Sequence, residues 1–281
     1  MMLNMASLSS LSVLIGFLGS LTGLGGASIL IPILVFCGVP IKIAIASGIV
    51  SIIATSSGSA ASYVRDRITN VKIAMYLEMF TIAGAIVGAT ITALIKPVYL
   101  YFFFAAFLLT SFVGMRNHTR DKDLAMAKNQ DRVSAWLRLK GIYFDEARKE
   151  TVEYQATNAL LGGLGMFIAG IAAGMLGIGA GAFKVSVQEN ILKLPPKVSS
   201  TTSNFIIGMT ALAATSVYLF SGLLNLTLVA PVAIGTTIGS VVGGRVLNKL
   251  SDKWLRILFL AIVAYLIVQM LYKGVTSLWP V

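Results

Sequence analysis

Two short stretches of the chain place glycine beside hydroxyl-bearing and basic residues at matching intervals. GLGGASILIP occupies 23–32, and GIGAGAFKVS occupies 177–186. Gly23, Gly25, Gly26, Gly177, Gly179 and Gly181 allow a sharp turn and a close backbone approach to a ligand. A helix that starts after each cluster, near Gly26, Ala27 and Ser28 or near Ala180, Gly181 and Ala182, presents unpaired N–H groups and a positive dipole end. Two such ends meeting would hold a small anion without a buried arginine. The alternative is plain packing. Gly16, Ser20 and Gly23, like Gly170, Gly174 and Gly177, share one small-residue helix face.

A second polar feature follows each glycine cluster. It comprises Ser47, Gly48 and Ser51 in one place and Thr201, Thr202, Ser203 and Asn204 in the other. These hydroxyl and amide groups can donate to substrate oxygens, or they can bond helix to helix. Ionisable residues inside apolar segments are functional candidates, and few occur. Lys184 would hold an anion's charge or snorkel to the membrane edge. Glu78 would carry a coupling proton or line a rim. The single His118 and single Cys37 argue against zinc chemistry, a histidine base and a disulfide framework. No catalytic residue, metal site or cofactor is expected, and the chain does not read as an enzyme. A serine-type intramembrane protease needs a buried histidine. An aspartyl type needs two facing carboxylates, whereas Asp66 and Asp252 lie at loop ends.

The elements that carry these residues are set by composition. The chain has 281 residues, 57% hydrophobic and 12% charged, about half the usual charged fraction. Mean hydropathy is +0.86. The formal charge of +11 therefore does not indicate a nucleic-acid partner. The expected surroundings are a lipid bilayer, as a multi-pass protein of the plasma membrane. Eight apolar segments run over 8–37, 41–64, 71–95, 98–115, 156–192, 196–220, 226–247 and 254–272. Six suit one crossing of about 20 residues; the first of each half is longer and broken by its glycines. Lipid offers no partners for an open backbone, so these runs must be helical. The expected fold is an all-α polytopic membrane protein. Residues 116–153 concentrate nine of the 22 Lys and Arg and seven of the 11 Asp and Glu. The expected organisation is a membrane repeat over 1–115, a polar cytoplasmic connector over 116–155 and a second membrane repeat over 156–281. The connector is either a soluble loop or partly amphipathic at the bilayer surface.

The halves match at a nearly constant offset. Gly16 aligns with Gly170, Pro40 with Pro195, Lys42 with Lys197, Tyr63 with Tyr218, Asn70 with Asn225, Gly84 with Gly239 and Gly88 with Gly243. Internal repeats are typical of transporter folds. Arg65, Arg67 and Lys72 follow segment 2, whereas the equivalent 221–226 carries no charge. Lys96 alone follows segment 3, whereas Arg245, Lys249, Lys253 and Arg256 follow its mate. The positive bias changes sides, so the repeats are expected to be inverted. Each half then needs an odd number of crossings. Segments 1 and 5 would be re-entrant hairpins turning at their glycines. The rival is a broken, fully crossing helix in parallel repeats.

The paired glycine motifs resemble the TauE/SafE family of sulfite exporters. Each is followed by a K-x-A or K-x-S step and a hydroxyl pair: Lys42–Ile43–Ala44 then Ser47–Gly48, and Lys197–Val198–Ser199 then Thr202–Ser203. Gly48, Ala180 and Ser186 depart from the usual Ser or Thr, Gly and Pro. The resemblance spans nearly the whole chain. It implies a secondary carrier, an exporter, for small organosulfur anions such as sulfite or sulfoacetate, working by alternating access. An anion channel, or a carrier of a carboxylate, sulfate or thiosulfate, shares the same features. The partners are then a small anion and lipid, with no nucleic acid; oligomeric state is not legible.

Overall fold

The computed structural model describes residues 5–22, 26–65, 68–117, 131–145, 149–247 and 252–278. The first half contains α1 (Met5–Thr22), α2 (Ala27–Phe36), α3 (Ile41–Arg65), α4 (Val71–Leu94) and α5 (Pro97–Asn117). A short α6 (Arg132–Trp136) and two strands, β1 (Lys140–Asp145) and β2 (Glu150–Gln155), lead to the second half. It contains α7 (Ala159–Leu176), α8 (Gly181–Asn190), α9 (Pro196–Phe220), α10 (Leu226–Leu247) and α11 (Asp252–Leu278). Both long first segments are thus two helices, interrupted where the glycines cluster. The protein is a mostly helical membrane protein. Among the described residues, Val71–Leu94, Ala159–Leu176 and Pro196–Phe220 are each long and apolar enough to cross a bilayer, and shorter apolar helices accompany them. Large apolar side chains such as Met79, Leu94, Leu161, Ile168, Ile234 and Ile238 face outward, as lipid solvation allows.

The helices pair in a pattern that respects the duplication. The most extensive contacts are α1 with α10 and α4 with α7, and exchanging the halves converts one pair into the other. Glycines permit both. A Cβ on Gly84 or Gly88 would collide with backbone of Phe167 and Ile171; one on Gly170 or Gly174 would collide with backbone of Thr81 and Ala85. Gly16 meets Thr236 backbone, and Gly239 meets Val13 and Phe17 backbone. In each pair residue numbers rise together, so the crossing helices run in the same direction. Asn70 and Asn225 also behave as mates. Asn70 Oδ1 accepts from Ile73 N at 3.1 Å, and Asn225 Oδ1 accepts from Thr227 N at 3.1 Å, so each caps its helix.

The broken segments fold back on themselves. Gly26 comes ten residues after Gly16. A continuous helix would separate them by about 15 Å, yet a Cβ on Gly26 would lie 3.6 Å from Gly16 Cα. In the second half, Gly162 faces Leu192 and Gly165 faces Val187 and Ile191. Thr157 N donates to Leu192 O at 3.1 Å. The chain therefore starts α7 and finishes α8 at one place.

The connector is more structured than a polar loop. β1 and β2 form an antiparallel pair. Alternation along β2 buries Val152 and Tyr154, which pack with Leu139, Tyr143, Ile73, Leu77 and Leu194. Asn70 Nδ2 donates to Tyr154 Oη at 2.9 Å and to Lys140 O at 3.2 Å. Ala159 N donates to Ser134 Oγ at 3.2 Å. The strands thus hold the start of α4 and the start of α7 together. Charge density along 116–153 hid the two-residue periodicity of TVEYQ. The hydrophilic stretch 118–130, which contains His118, lies outside the described residues.

Candidate functional site

Described residues of both motifs approach one stretch of α3. Gly23 and Gly25 lie outside the described residues, while Gly26, Ala27 and Ser28 are buried at the start of α2. A Cβ on Gly48 of α3 would meet Ile31 Cγ1 at 2.6 Å and Ala27 Cβ at 3.5 Å. Gly48, the departure from a hydroxyl residue, therefore makes room for α2. Gly177 lies against Ile45 O, and Gly179 against Ile52 and Ile207. Gly181 lies against Ile207, and its carbonyl accepts from Ser203 Oγ at 3.4 Å. The start of α2 at Ala27 and the turn at 177–179 ahead of α8 thus both border residues 45–52 of α3, while α8 itself starts against Ile207 of α9. Neither helix has a side-chain cap from its N-cap residue, Gly26 or Ala180.

The turn at 177–180 needs unusual backbone. Gly177 and Gly179 have φ of +66° and +74°. Ala180 has φ +50°, a left-handed conformation that costs an L-residue roughly 1–2 kcal/mol. A glycine at this position would carry no such cost.

The hydroxyl candidates divide into two groups. Ser47 Oγ donates to Ile43 O at 2.9 Å, Ser51 Oγ to Gly48 O at 2.7 Å and Thr201 Oγ1 to Lys197 O at 3.0 Å. These three are engaged with their own helices, as Ser and Thr in apolar helices commonly are. Asn204 and Thr201 line an open cleft of about 330 Å³ with Ile68, Pro196, Lys197 and Ser200. Thr202 differs. It is fully buried, and its hydroxyl has no partner.

Lys184 does not snorkel. Its side chain is 0% exposed, and Nζ donates to Thr210 Oγ1 of α9 at 3.0 Å. The Thr210 hydroxyl has one proton and two acceptors, Ile206 O at 2.6 Å and Glu78 Oε1 at 3.3 Å. Glu78 is 3% exposed and reaches in from α4; its Oε2 has no partner. Glu78 is thus neither a rim residue nor a cap: it shares Thr210 with Lys184. One turn beyond Lys184, Gln188 is 0% exposed, and neither amide atom has a partner. Sequence reasoning missed Gln188 and Thr210. Their signal was spacing: Lys184 and Gln188 are four apart on one face, and Thr202, Ile206 and Thr210 repeat every four. Among the described residues, no group of three or more His, Cys, Asp or Glu could hold a metal ion.

Against this geometry, the Sulfite exporter TauE/SafE family model matches residues 8–270. The chain belongs to the TauE/SafE family. Two relatives from Bacillus subtilis (strain 168) align with this TauE/SafE chain along most of its length. The Probable membrane transporter protein YunE is 24% identical over 279 residues, 95% of this chain and 97% of that protein. The Probable membrane transporter protein YdhB is 24% identical over 239 residues, 85% of this chain and 86% of that protein. No solved structure matches the chain. Family and relatives agree with the apolar helices: this TauE/SafE member is a membrane transporter.

Proposed function

We propose that the protein is a secondary carrier of the plasma membrane that exports small organosulfur anions, such as sulfite or sulfoacetate, by alternating access. The observation that carries the proposal is that α2 at Ala27 and the Gly177–Gly179 turn leading into α8 both lie against the same stretch of α3. Discontinuous helices hold substrates in several transporter folds, with half-helix N-termini aimed at anionic groups. The outward direction follows the family's description as sulfite exporters.

Alternating access rests on inverted repeats with re-entrant first segments. Three observations support that topology. α7 and α8 begin and end together through Thr157 and Leu192. α4 runs in the same direction as α7, and α1 in the same direction as α10. If each half is a hairpin followed by three crossings, α4 runs opposite to α1. Running with α7, it makes the second half the inverse of the first. Finally, Ile68 after α3 and Pro196 at the start of α9 line one cleft, as antiparallel repeat mates would. In this scheme the tightly crossed pairs α1–α10 and α4–α7 form the scaffold.

The test combines binding and turnover. The purified protein is heated with sulfite, sulfoacetate, sulfate, thiosulfate, acetate and chloride. An anion at 100 times its dissociation constant stabilises by about 2.7 kcal/mol. Selective protection by sulfite or sulfoacetate, followed by saturable uptake and counterflow in liposomes, supports the carrier. Non-saturating flux without counterflow identifies a channel. Protection by acetate or sulfate alone moves the substrate to another anion class. Single cysteines at positions 68 and 223, in a Cys37→Ser background, test the topology: inverted repeats require them to react from opposite sides.

A further inference from the structure

The buried cluster around Lys184 is asymmetric, and its asymmetry is informative. α2 and α8 align residue for residue, so Leu30 stands where α8 has Lys184, and Leu34 where it has Gln188. Both leucines are 0% exposed. Thr55, the mate of Thr210, donates to Ser51 O of its own helix, and Ala233 replaces Glu78. The first half therefore packs the same position with hydrocarbon. A buried ion pair is seldom needed for stability, since apolar replacements of similar volume generally serve as well. Packing explains the leucines but not Lys184, Glu78 and Gln188. The cluster also has unfilled capacity. Glu78 Oε2 and Gln188 Nε2 and Oε1 are buried without partners. Among the described residues Lys184 makes one hydrogen bond from three donors. Buried polar groups in native proteins are nearly always paired.

We propose that Lys184 and Gln188 receive the transported anion inside the protein, and that Glu78 takes up a proton as the anion arrives. The proposal rests on the anion-carrier reading and names the residues that bind and couple. The Lys184 ammonium supplies the positive charge. The Gln188 amide supplies a neutral donor to an oxyanion such as a sulfonate. Before binding, Glu78 balances Lys184 through Thr210. When the anion takes over that balance, an ionised Glu78 would add its own negative charge to the anion's against the single positive charge of Lys184, away from water. A proton from the open aqueous face neutralises Glu78. One anion and one proton then cross together, and both leave on the other side. Among the described residues no other ionisable group competes on the surrounding elements; on α3, Lys42 Nζ donates to Ala93 O. α7 contains none. On α4, Tyr76 Oη donates to Ala159 O, and Lys72 is exposed. On α9, Tyr218 Oη donates to Gly174 O, and Lys197 is exposed. Glu189 of α8 is half-buried, next to Gln188 in sequence, and Asp131 caps α6 beyond the start of α7.

The test is calorimetric titration of the full chain in nanodiscs with sulfoacetate and with sulfate, whose ionisation is constant near neutral pH. Buffers of different ionisation enthalpy report the protons taken up. Wild type should take up one proton per anion, and its affinity should fall about tenfold per pH unit where Glu78 starts ionised. Glu78→Gln should bind without proton uptake and without pH dependence. Either charge variant alone risks misfolding, because it leaves the other group unbalanced. Lys184→Met/Glu78→Gln removes both charges; it should melt no lower than Glu78→Gln and should lose binding. Wild-type binding without proton uptake overturns the coupling role. Retained binding in a folded double variant overturns the site and leaves the carrier reading intact. A wild type that binds neither probe overturns the carrier reading and this inference with it.

Discussion

Gly174→Ala is expected to push α4 and α7 apart. A Cβ at Gly174 would lie 2.7 Å from Ala85 Cα, whereas carbon atoms in contact sit about 3.5–4.0 Å apart. The helices must therefore separate by roughly 1 Å. The obstruction is backbone, so no rotamer change relieves it. Overpacking of this kind costs about 1–3 kcal/mol. The same shift stretches the bond from Thr92 Oγ1 to Met175 O, now 2.8 Å, and forfeits about 0.5–1.5 kcal/mol. The combined loss, less about 0.8–1 kcal/mol that alanine gains over glycine in helix propensity, is about 1–3 kcal/mol. At about 2–4 °C per kcal/mol for a chain near this size, the thermal midpoint should drop by roughly 2–12 °C. The control is Gly165→Ala on the same helix. There a Cβ meets only side-chain atoms, Val187 Cγ1 at 3.0 Å and Ile191 Cδ1 at 3.5 Å, and alanine gains about 0.8–1 kcal/mol of helix propensity. Both variants are melted in identical nanodiscs at one heating rate. Equal midpoints for Gly174→Ala and wild type would refute the claim that bare backbone contact sets this crossing.

Three further predictions concern the turn and the connector. Ala180→Gly removes the left-handed strain of an L-residue and should raise stability by up to about 1 kcal/mol after the glycine's extra chain entropy; a lower thermal midpoint would show that Ala180 contributes more by packing than it costs in strain. Asn70→Ala deletes the α4 cap and the bonds to Tyr154 and Lys140. It should cost about 1–2 kcal/mol and speed hydrogen exchange in both β1 and β2, so unchanged exchange would mean the strands dock independently of Asn70. Asp131 caps α6. Partial burial works to raise its pKa, but hydrogen bonds from the Ser134 side chain and from backbone outweigh that and hold it below the ordinary 3.8. A carboxylate lowered on folding stabilises above its unfolded pKa and loses that contribution as pH falls through the folded value. Amide protection at Ser134 should therefore decline below about pH 4 in wild type and stay flat in Asp131→Asn, which caps equally well.

Much of the architecture was legible in the chain because bilayer chemistry leaves few choices. Apolar runs with no aqueous partner for their backbone had to be helices, and the glycine clusters at 23–26 and 177–181 had to interrupt them. The repeat was legible because matched residues keep matched tasks: Asn70 and Asn225 both cap, and Gly84 and Gly239 both admit a crossing helix. The β1–β2 pair was not legible, since its charged neighbours masked a short alternation. The hydroxyl candidates show the limit for sites. Type and position alone do not tell Ser47, which bonds its own helix, from Thr202, which is buried without a partner. Residue types and their spacing by themselves determined a duplicated helical membrane protein with broken first segments. Only the tertiary structure decided that Lys184 turns inward to Thr210 and Glu78. The partner of a long charged side chain depends on what the neighbouring helices place within reach, and those neighbours are 26 and more than 100 residues away in the chain.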